Sequence, residues 1–214
     1  MSIDYIAVLD RGHLDNGLFL TTFAKSIANH SHRGLIIHSD SEYTDRIMQT
    51  GVMREAAKKR AIKDLNHRLI ALLADQGVSA IGLNGYQKKL LTISDGKVSV
   101  DVDQIEILPK QPVLLISALV HSSDKAEPVP ATLQEVTEAL RSSLKIKEIF
   151  LFTKSDEDQL IKKDLPPTLE DISDKESFIN DTVPDEFRER HAGITLTTVN
   201  DFRSYPEIKN KTRL

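Results

Sequence analysis

The sequence contains no cysteine and no tryptophan, and its aromatics are few. Without cysteine, disulfide staples, thiolate catalysis and thiolate-bound zinc are excluded. Seven Phe and four Tyr leave little for base stacking, and a net charge of −4 without any Lys/Arg-rich tract gives no clustered positive charge to neutralise phosphates. No nucleic-acid partner is expected. No apolar run approaches the ~20 residues of a spanning helix, so no membrane partner is expected either. The opening Met1-Ser2-Ile3-Asp4-Tyr5 lacks the basic and apolar regions of a secretory signal, which sets the expectation of cytoplasmic residence.

What is present fits an ordinary globular protein: 214 residues, 40% hydrophobic and 28% charged, enough for one domain with a modest appendage. Ile3 to Leu9 predicts a strand, and the turn chemistry of Asp10 to Gly17 predicts a loop after it. Phe19, Phe23 and Ile27 then take helical spacing, and Leu35 to His38 resumes as a strand. From Met53 to Gln76, Ala57, Ala61, Leu65, Leu69 and Leu72 keep a helical period that ends at Gly77. Val78 to Leu83 reads as a strand, and Lys89 to Ile93 with Lys97 to Val102 flank Ser94-Asp95-Gly96 as a hairpin. Pro112 to Ala118 is the most apolar strand; His121 to Pro130 reads as a loop, Thr132 to Leu144 as a helix, and Glu148 to Phe152 as a strand. Strands separated by helices imply right-handed crossovers and a mainly parallel sheet covered on both faces, an α/β fold. Residues 1–154 form the core on this reading. Residues 155–214 form a shortened extension packed on the same domain, with 12 acidic and 5 basic residues up to Arg190, then a last strand at Ile194 to Val199 and a polar tail.

Several groups are candidates for chemistry. The Gly12 loop follows a strand and could offer N–H groups to an anion, although Asp10 and Asp15 oppose one; a plain connection is the simpler reading. His38-Ser39-Asp40-Ser41-Glu42 lies at the carboxyl end of a strand, where open α/β sheets hold ligands, and a serine there serves equally well as a helix cap. His30, His32 and His38 straddle a helix end and a strand, and no metal site is expected of them. Arg54, Lys58, Lys59, Arg60 and Lys63 read as a solvated basic face, with Lys58 and Lys59 able to attract a phosphate or carboxylate. No Gly-x-Ser-x-Gly elbow supports a nucleophilic hydrolase.

Asn66-His67-Arg68-Leu69-Ile70-Ala71-Leu72-Leu73, then Gly77-Val78-Ser79-Ala80-Ile81-Gly82-Leu83-Asn84-Gly85, then Leu90-Leu91, resembles the amino acid kinase family, acetylglutamate kinase and aminoadipate kinase among its members. His38 through Gly51, with Asp45-Arg46-Ile47, resembles the family's Val-His-Gly-Gly-Gly loop and the helix after it. Pro112-Val113, and Glu135-Val136 through Phe152-Thr153, follow in the family's order, so the resemblance covers roughly residues 3 to 155. It implies a three-layer αβα sandwich with a mainly parallel central sheet, an amino-terminal lobe for an acyl amino acid and a carboxyl-terminal lobe for ATP.

The departures fall on the chemistry. Val8-Leu9-Asp10-Arg11-Gly12 has no Lys and one Gly where the family has a Lys and two glycines, and Ser39, Asp40 and Ser41 replace the glycines after His38. The segment with the substrate-binding Arg is missing, with Arg54 a displaced substitute at best. Pro130-Ala131-Thr132-Leu133-Gln134 lacks the family's aspartate, Lys154-Ser155-Asp156 departs from its Asp and glycine, and 61 residues after Thr153 are few for a nucleotide lobe. Phosphoryl transfer depends on positioning and on positive charge against the transferred group. The expectation is therefore a degenerate kinase-like protein that works by binding or interaction, a homodimer included, with a weak site for a small polar metabolite at Gly12, His38, Ser39, Ser41, Asn84 and Gly85, no catalytic residue and no metal. The alternative is an active kinase that phosphorylates the carboxylate of an acyl amino acid with ATP and Mg, with Lys88, Lys89 or Lys154 supplying charge. An unrelated α/β ligand-binding domain is a third.

Overall fold

A computed structural model describes residues 2–49, 55–110, 113–154, 164–189 and 192–214. Arg54, the start of the Met53 helix, Pro112 and Ser155-Asp156 lie outside them. Among the described residues, eleven strands and seven α-helices follow in chain order: β1 Tyr5–Leu9, α1 Arg11–Asp15, α2 Gly17–Ala28, β2 Gly34–His38, α3 Glu42–Gln49, α4 Glu55–Asp75, β3 Ala80–Asn84, β4 Leu91–Ser94, β5 Lys97–Val100, α5 Val102–Glu106, β6 Val113–Ser117, β7 Leu119–Ser122, β8 Glu127–Pro130, α6 Leu133–Leu144, β9 Glu148–Phe152, α7 Lys175–Thr182, β10 Thr195–Thr197 and β11 Lys211–Arg213.

The large sheet runs β11-β10-β9-β1-β2-β6-β3, and each pairing in it is parallel except that of β10 with β11. A smaller sheet runs β5-β4-β7-β8. The central strands are buried on both faces, which is why they read as unbroken apolar runs. Successive side chains point to opposite faces. Tyr5, Ala7, Leu9, Ile36, Leu115, Phe150 and Phe152 pack under α2 and α4, whereas Ile6, Val8, Leu35, Ile37, Leu114 and Leu151 pack against α6, α5 and the small sheet. Helices α2 and α4 present Phe19, Phe23 and Ile27, and Ile62, Leu65, Leu69 and Leu73, at helical spacing.

The strands expected near 4–9, 34–38, 78–83, 112–118 and 148–152 all join the large sheet. Asp95 and Gly96 turn the β4–β5 hairpin with positive φ at both residues. Three expectations are corrected. The stretch after Asp10 is not a loop, because Asp10 caps a short helix, its side chain accepting from the His13 N–H at 3.2 Å. His121 to Pro130 is not a loop either: β7 and β8 pair there as a hairpin, and Pro128 and Pro130 are tolerated because β8 is the outer strand of its sheet. The carboxyl-terminal stretch is more than a polar tail, since Phe202, Tyr205 and Ile208 are buried and β11 extends the sheet beyond β10.

One close approach fixes the start of the sheet. The Tyr5 ring, fully buried and edge-on to Phe150 and Phe202, lies against the backbone of Gly34 on the neighbouring strand. A Cβ at Gly34 would lie 2.4 Å from the Tyr5 ring and hydroxyl. Gly34→Ala is therefore expected to cost about 2 kcal/mol and to lower Tm by roughly 4–8 °C in thermal unfolding; an unchanged Tm would show that the ring is free to give way.

Candidate functional site

Because β1, β2, β6 and β3 are parallel and in register, their carboxyl ends form one row: Leu9 opposite His38, His38 opposite Ser117, Ser117 opposite Asn84. The segments above this row bring together residues 10–13, 38–41, 84–85, 117–118 and 153–154. The expected site residues converge there, and most of them are bonded within the protein.

His38 is fully buried. Its Nδ1 lies 2.9 Å from the Ser39 carbonyl, which can only accept, so Nδ1 carries the proton and Nε2 accepts from Asn66 Nδ2 at 3.1 Å. Asn66 Nδ2 also donates to the Leu83 carbonyl at 3.2 Å, tying α4 to β2 and β3. Ser39 Oγ donates to the Asp40 carbonyl at 3.2 Å. Ser41 caps α3, its Oγ accepting from the Thr44 N–H at 3.3 Å. Asn84 Oδ1 accepts from Ser117 Oγ at 2.9 Å, and the Asn84 N–H donates to Gln87 Oε1 at 2.6 Å. Gly85 is wedged where the two sheets meet, since a Cβ there would lie 2.7 Å from Leu91 and 3.0 Å from the Ser117 and Leu119 carbonyls. Gly12 lies within α1, with nothing nearer than 3.9 Å to a Cβ built on it. His30 and His32 precede β2 and so lie at the opposite edge from His38.

Four charged residues command the row. Asp40, only 2% exposed, takes Lys58 Nζ at 2.9 Å and Arg11 Nε at 3.3 Å. Arg11 Nε also lies 3.5 Å from Glu186. Glu186 Oε2 in turn accepts the Leu133 N–H at 3.0 Å, at the first turn of α6. Burial pushes the Glu186 carboxyl upward, Asp40 and Asp10 add to the push, and the Leu133 bond and Arg11 oppose it. At α3 the Tyr43 N–H donates to Asp15 at 2.7 Å. Two helix N-termini that would attract an anion thus already hold carboxylates of the chain. Lys58 is correspondingly not part of a solvated face, because α4 turns it inward to Asp40; Lys59 pairs with Glu127 at 3.3 Å and Arg60 with Asp64 at 3.8 Å.

A second charged pair braces the row. His13 is buried, stacks on Phe19 with ring centroids 4.0 Å apart, donates from Nε2 to the Thr153 carbonyl at 3.0 Å and contacts Asp10 through Nδ1. Burial alone would lower the His13 pKa, but the Asp10 charge and its hydrogen bond outweigh it and raise the value. Burial would raise that of Asp10, and the His13 charge beside it brings it down. Each partner thus favours the charged form of the other. Sequence reasoning assigned no role to His13, Glu186 or Ser117. An Asp-x-x-His spacing straight after a buried strand was the available signal for His13; Glu186 sits in an acidic stretch with no mark of its own.

His38 makes this edge sensitive to acid. Burial pushes its pKa down to about 4, against a smaller upward pull from the Ser39 carbonyl. The folded state thus holds His38 neutral while an unfolded chain takes the proton near pH 6.5, and stability present above that value drains as pH falls toward 4. The full drop is on the order of 3 kcal/mol from this residue, at 1.36 kcal/mol per pKa unit. His13, with a raised pKa, acts oppositely: its contribution is complete below about pH 6.5 and is lost as pH rises through the folded value. Urea unfolding at pH 7 and at pH 4.5 is expected to show a shallower acid loss in His38→Gln than in the parent chain, and equal losses would remove His38 from the account.

Neither a protein-family model nor a curated protein matches the sequence. Solved structures match the fold. An isopentenyl phosphate kinase superposes with a TM-score of 0.63 at 13% identity, over 98% of each chain. An N-acetylglutamate synthase from Neisseria gonorrhoeae, complexed with coenzyme A and N-acetyl-glutamate, gives 0.63 at 14% identity, and E. coli aspartokinase III with lysine and aspartate gives 0.65 at 9%. This chain spans 60% of the length of the synthase chain and 64% of the aspartokinase chain. At these identities the likeness is one of architecture: the chain has an amino acid kinase-like α/β fold with a mostly parallel central sheet.

Proposed function

We propose that this amino acid kinase-fold protein has lost phosphoryl transfer and works as a binding or interaction protein. The observation that carries the reading is the internal neutralisation of the strand-end row. Transfer of a phosphoryl group needs unengaged positive charge and open N–H groups aimed at it. Here Lys58 and Arg11 are held by the buried Asp40 carboxylate, and Asp15 and Glu186 occupy the first turns of α3 and α6. Lys154, one of the three lysines that could supply charge to an active kinase, pairs with Asp185 at 2.8 Å and donates to the Asn180 carbonyl at 2.9 Å. Lys88 and Lys89 sit exposed in a left-handed turn ahead of β4. A small polar molecule bound through Gly12, His38, Ser39, Ser41, Asn84 and Gly85 belongs to the same reading, and it would have to compete with the bonds these residues already make. Self-association, read by sedimentation equilibrium, belongs to it as well.

One observation favours the alternative, an ATP- and Mg-dependent kinase acting on a carboxylate: Arg11 and Lys58 are two cations at the correct edge, and a phosphate that displaced Asp40 would find both. The readings part in a hydroxylamine-trapping assay with ATP, Mg and N-acetylglutamate. No acyl hydroxamate is expected, and no rise in Tm with Mg-ATP or ADP; turnover near the ~10 per second median of enzymes overturns the proposal. Asp40→Ala leaves Lys58 and Arg11 without their shared carboxylate and is expected to cost about 3 kcal/mol in urea unfolding.

A further inference from the structure

A hollow of about 360 Å³ opens on the helical layer, away from the strand-end row, where the last turns of α2 and α4 meet the short helical turn Asp201–Ser204. That volume is within the usual size of small-molecule sites. Lys25 and Asn29 line it from the end of α2, Gln76 from just beyond α4, and Asn200 and Arg203 from the turn. Its lining includes two cations and no carboxylate.

The cations of the strand-end row are consumed by carboxylates, and these two are not. Among the described residues the side chains of Lys25 and Arg203 make no ion pair and no hydrogen bond, nor do those of Gln76 and Asn200. Helix carboxyl ends attract cations, but the carbonyls here are already bonded within the chain. Asn29 Nδ2 donates to the Lys25 carbonyl at 2.6 Å, and the N–H groups of Asn29 and His30 donate to those of Ser26 and Ile27 at 3.2 and 3.4 Å. The N–H groups of Gln76, Gly77 and Val78 close the end of α4 in the same way.

The neighbouring acids do not fill the hollow. Asp201, next to Asn200, is turned to Thr198 and to Asn210 Nδ2 at 2.7 Å, and Asp75, next to Gln76, is not part of the lining. Thr22 and Ser26 line it too, with their hydroxyls spent on the Leu18 and Thr22 carbonyls at 2.8 and 2.9 Å. What remains to meet a ligand is positive charge and carboxamide N–H, a set suited to an oxyanion. No aromatic side chain lines the hollow, so a nucleotide would find no surface on which to stack its base.

We propose that this hollow is a binding site for the phosphate or carboxylate group of a small metabolite, with Lys25 and Arg203 supplying the charge and the Gln76 and Asn200 carboxamides donating hydrogen bonds. The site does not depend on whether phosphoryl transfer is lost, since it shares none of the residues of the strand-end row.

The test titrates the full chain with phosphate, malonate and chloride at constant ionic strength and follows amide chemical shifts. Phosphate or malonate is expected to shift the amides of Asn29, Gln76 and Asn200 saturably, and chloride is not; the oxyanion that binds more tightly names the source of the ligand. Lys25→Gln and Arg203→Gln are each expected to weaken binding about threefold, the scale of one exposed ion pair, and the double variant to abolish it. Arg203→Lys keeps most of the parent affinity. Gln76→Glu, which sets a carboxylate in the lining, should also abolish the titration and serves if the double variant folds poorly. Shifts no larger than those with chloride, saturable shifts that miss these amides, or binding that survives the double substitution or Gln76→Glu would each overturn the assignment.

Discussion

Asp40 keeps its carboxylate at 2% exposure by drawing two cations to it, and three distant parts of the chain are positioned by that demand. Lys58 fixes the first turns of α4 over the end of β2. Arg11 fixes α1, and through Glu186 it also fixes the carboxyl-terminal segment against the first turn of α6. Burying such a group confers little net stability compared with apolar packing, but removing one partner leaves a charge without a counterpart. The network therefore works mainly as a register device, holding residues 11, 40, 58 and 186 in one arrangement.

The same network neutralises the strand-end row from within. Parallel strands deliver helix N-termini to their carboxyl ends, and such termini favour anions. In this molecule the anions are built in: Asp10 at α1, Asp15 at α3 and Glu186 at α6. An incoming phosphate meets carboxylates where it would need N–H groups. Asp40 at the end of β2 and the seating of Glu186 at α6 are two parts of one electrostatic arrangement, joined through Arg11.

The apolar strands and the long helices were legible because burial on two faces and on one face leaves distinct periods; Leu35-Ile36-Ile37 and the Leu65, Leu69 spacing needed no tertiary knowledge. β8 was not legible, since its prolines argue against a strand unless it is known to be the outer one. The row His38, Asn84 was legible as a set of strand ends, and its hydrogen bonds were not, because His38 is satisfied by Asn66 from a helix 28 residues later. Asp40 was visible as a repulsive charge. That it is neutralised by Lys58 depends on the rotation of α4, which the charges alone could not set, as Lys58 and Lys59 are adjacent and only one points inward to it.

The strand order carries a consequence for synthesis. β1 lies between β2, which follows it by about thirty residues, and β9, which begins only at Glu148. As the chain emerges from the ribosome, β1, β2, β3 and β6 can assemble once Ser117 has been made, while the other flank of β1 waits. During that interval Arg11 and the first turn of α6 lack Glu186, so the nascent half-sheet presents an edge more positive than the finished one. A chaperone or anionic surface that engages the growing chain meets a differently charged molecule from the one that is finally released.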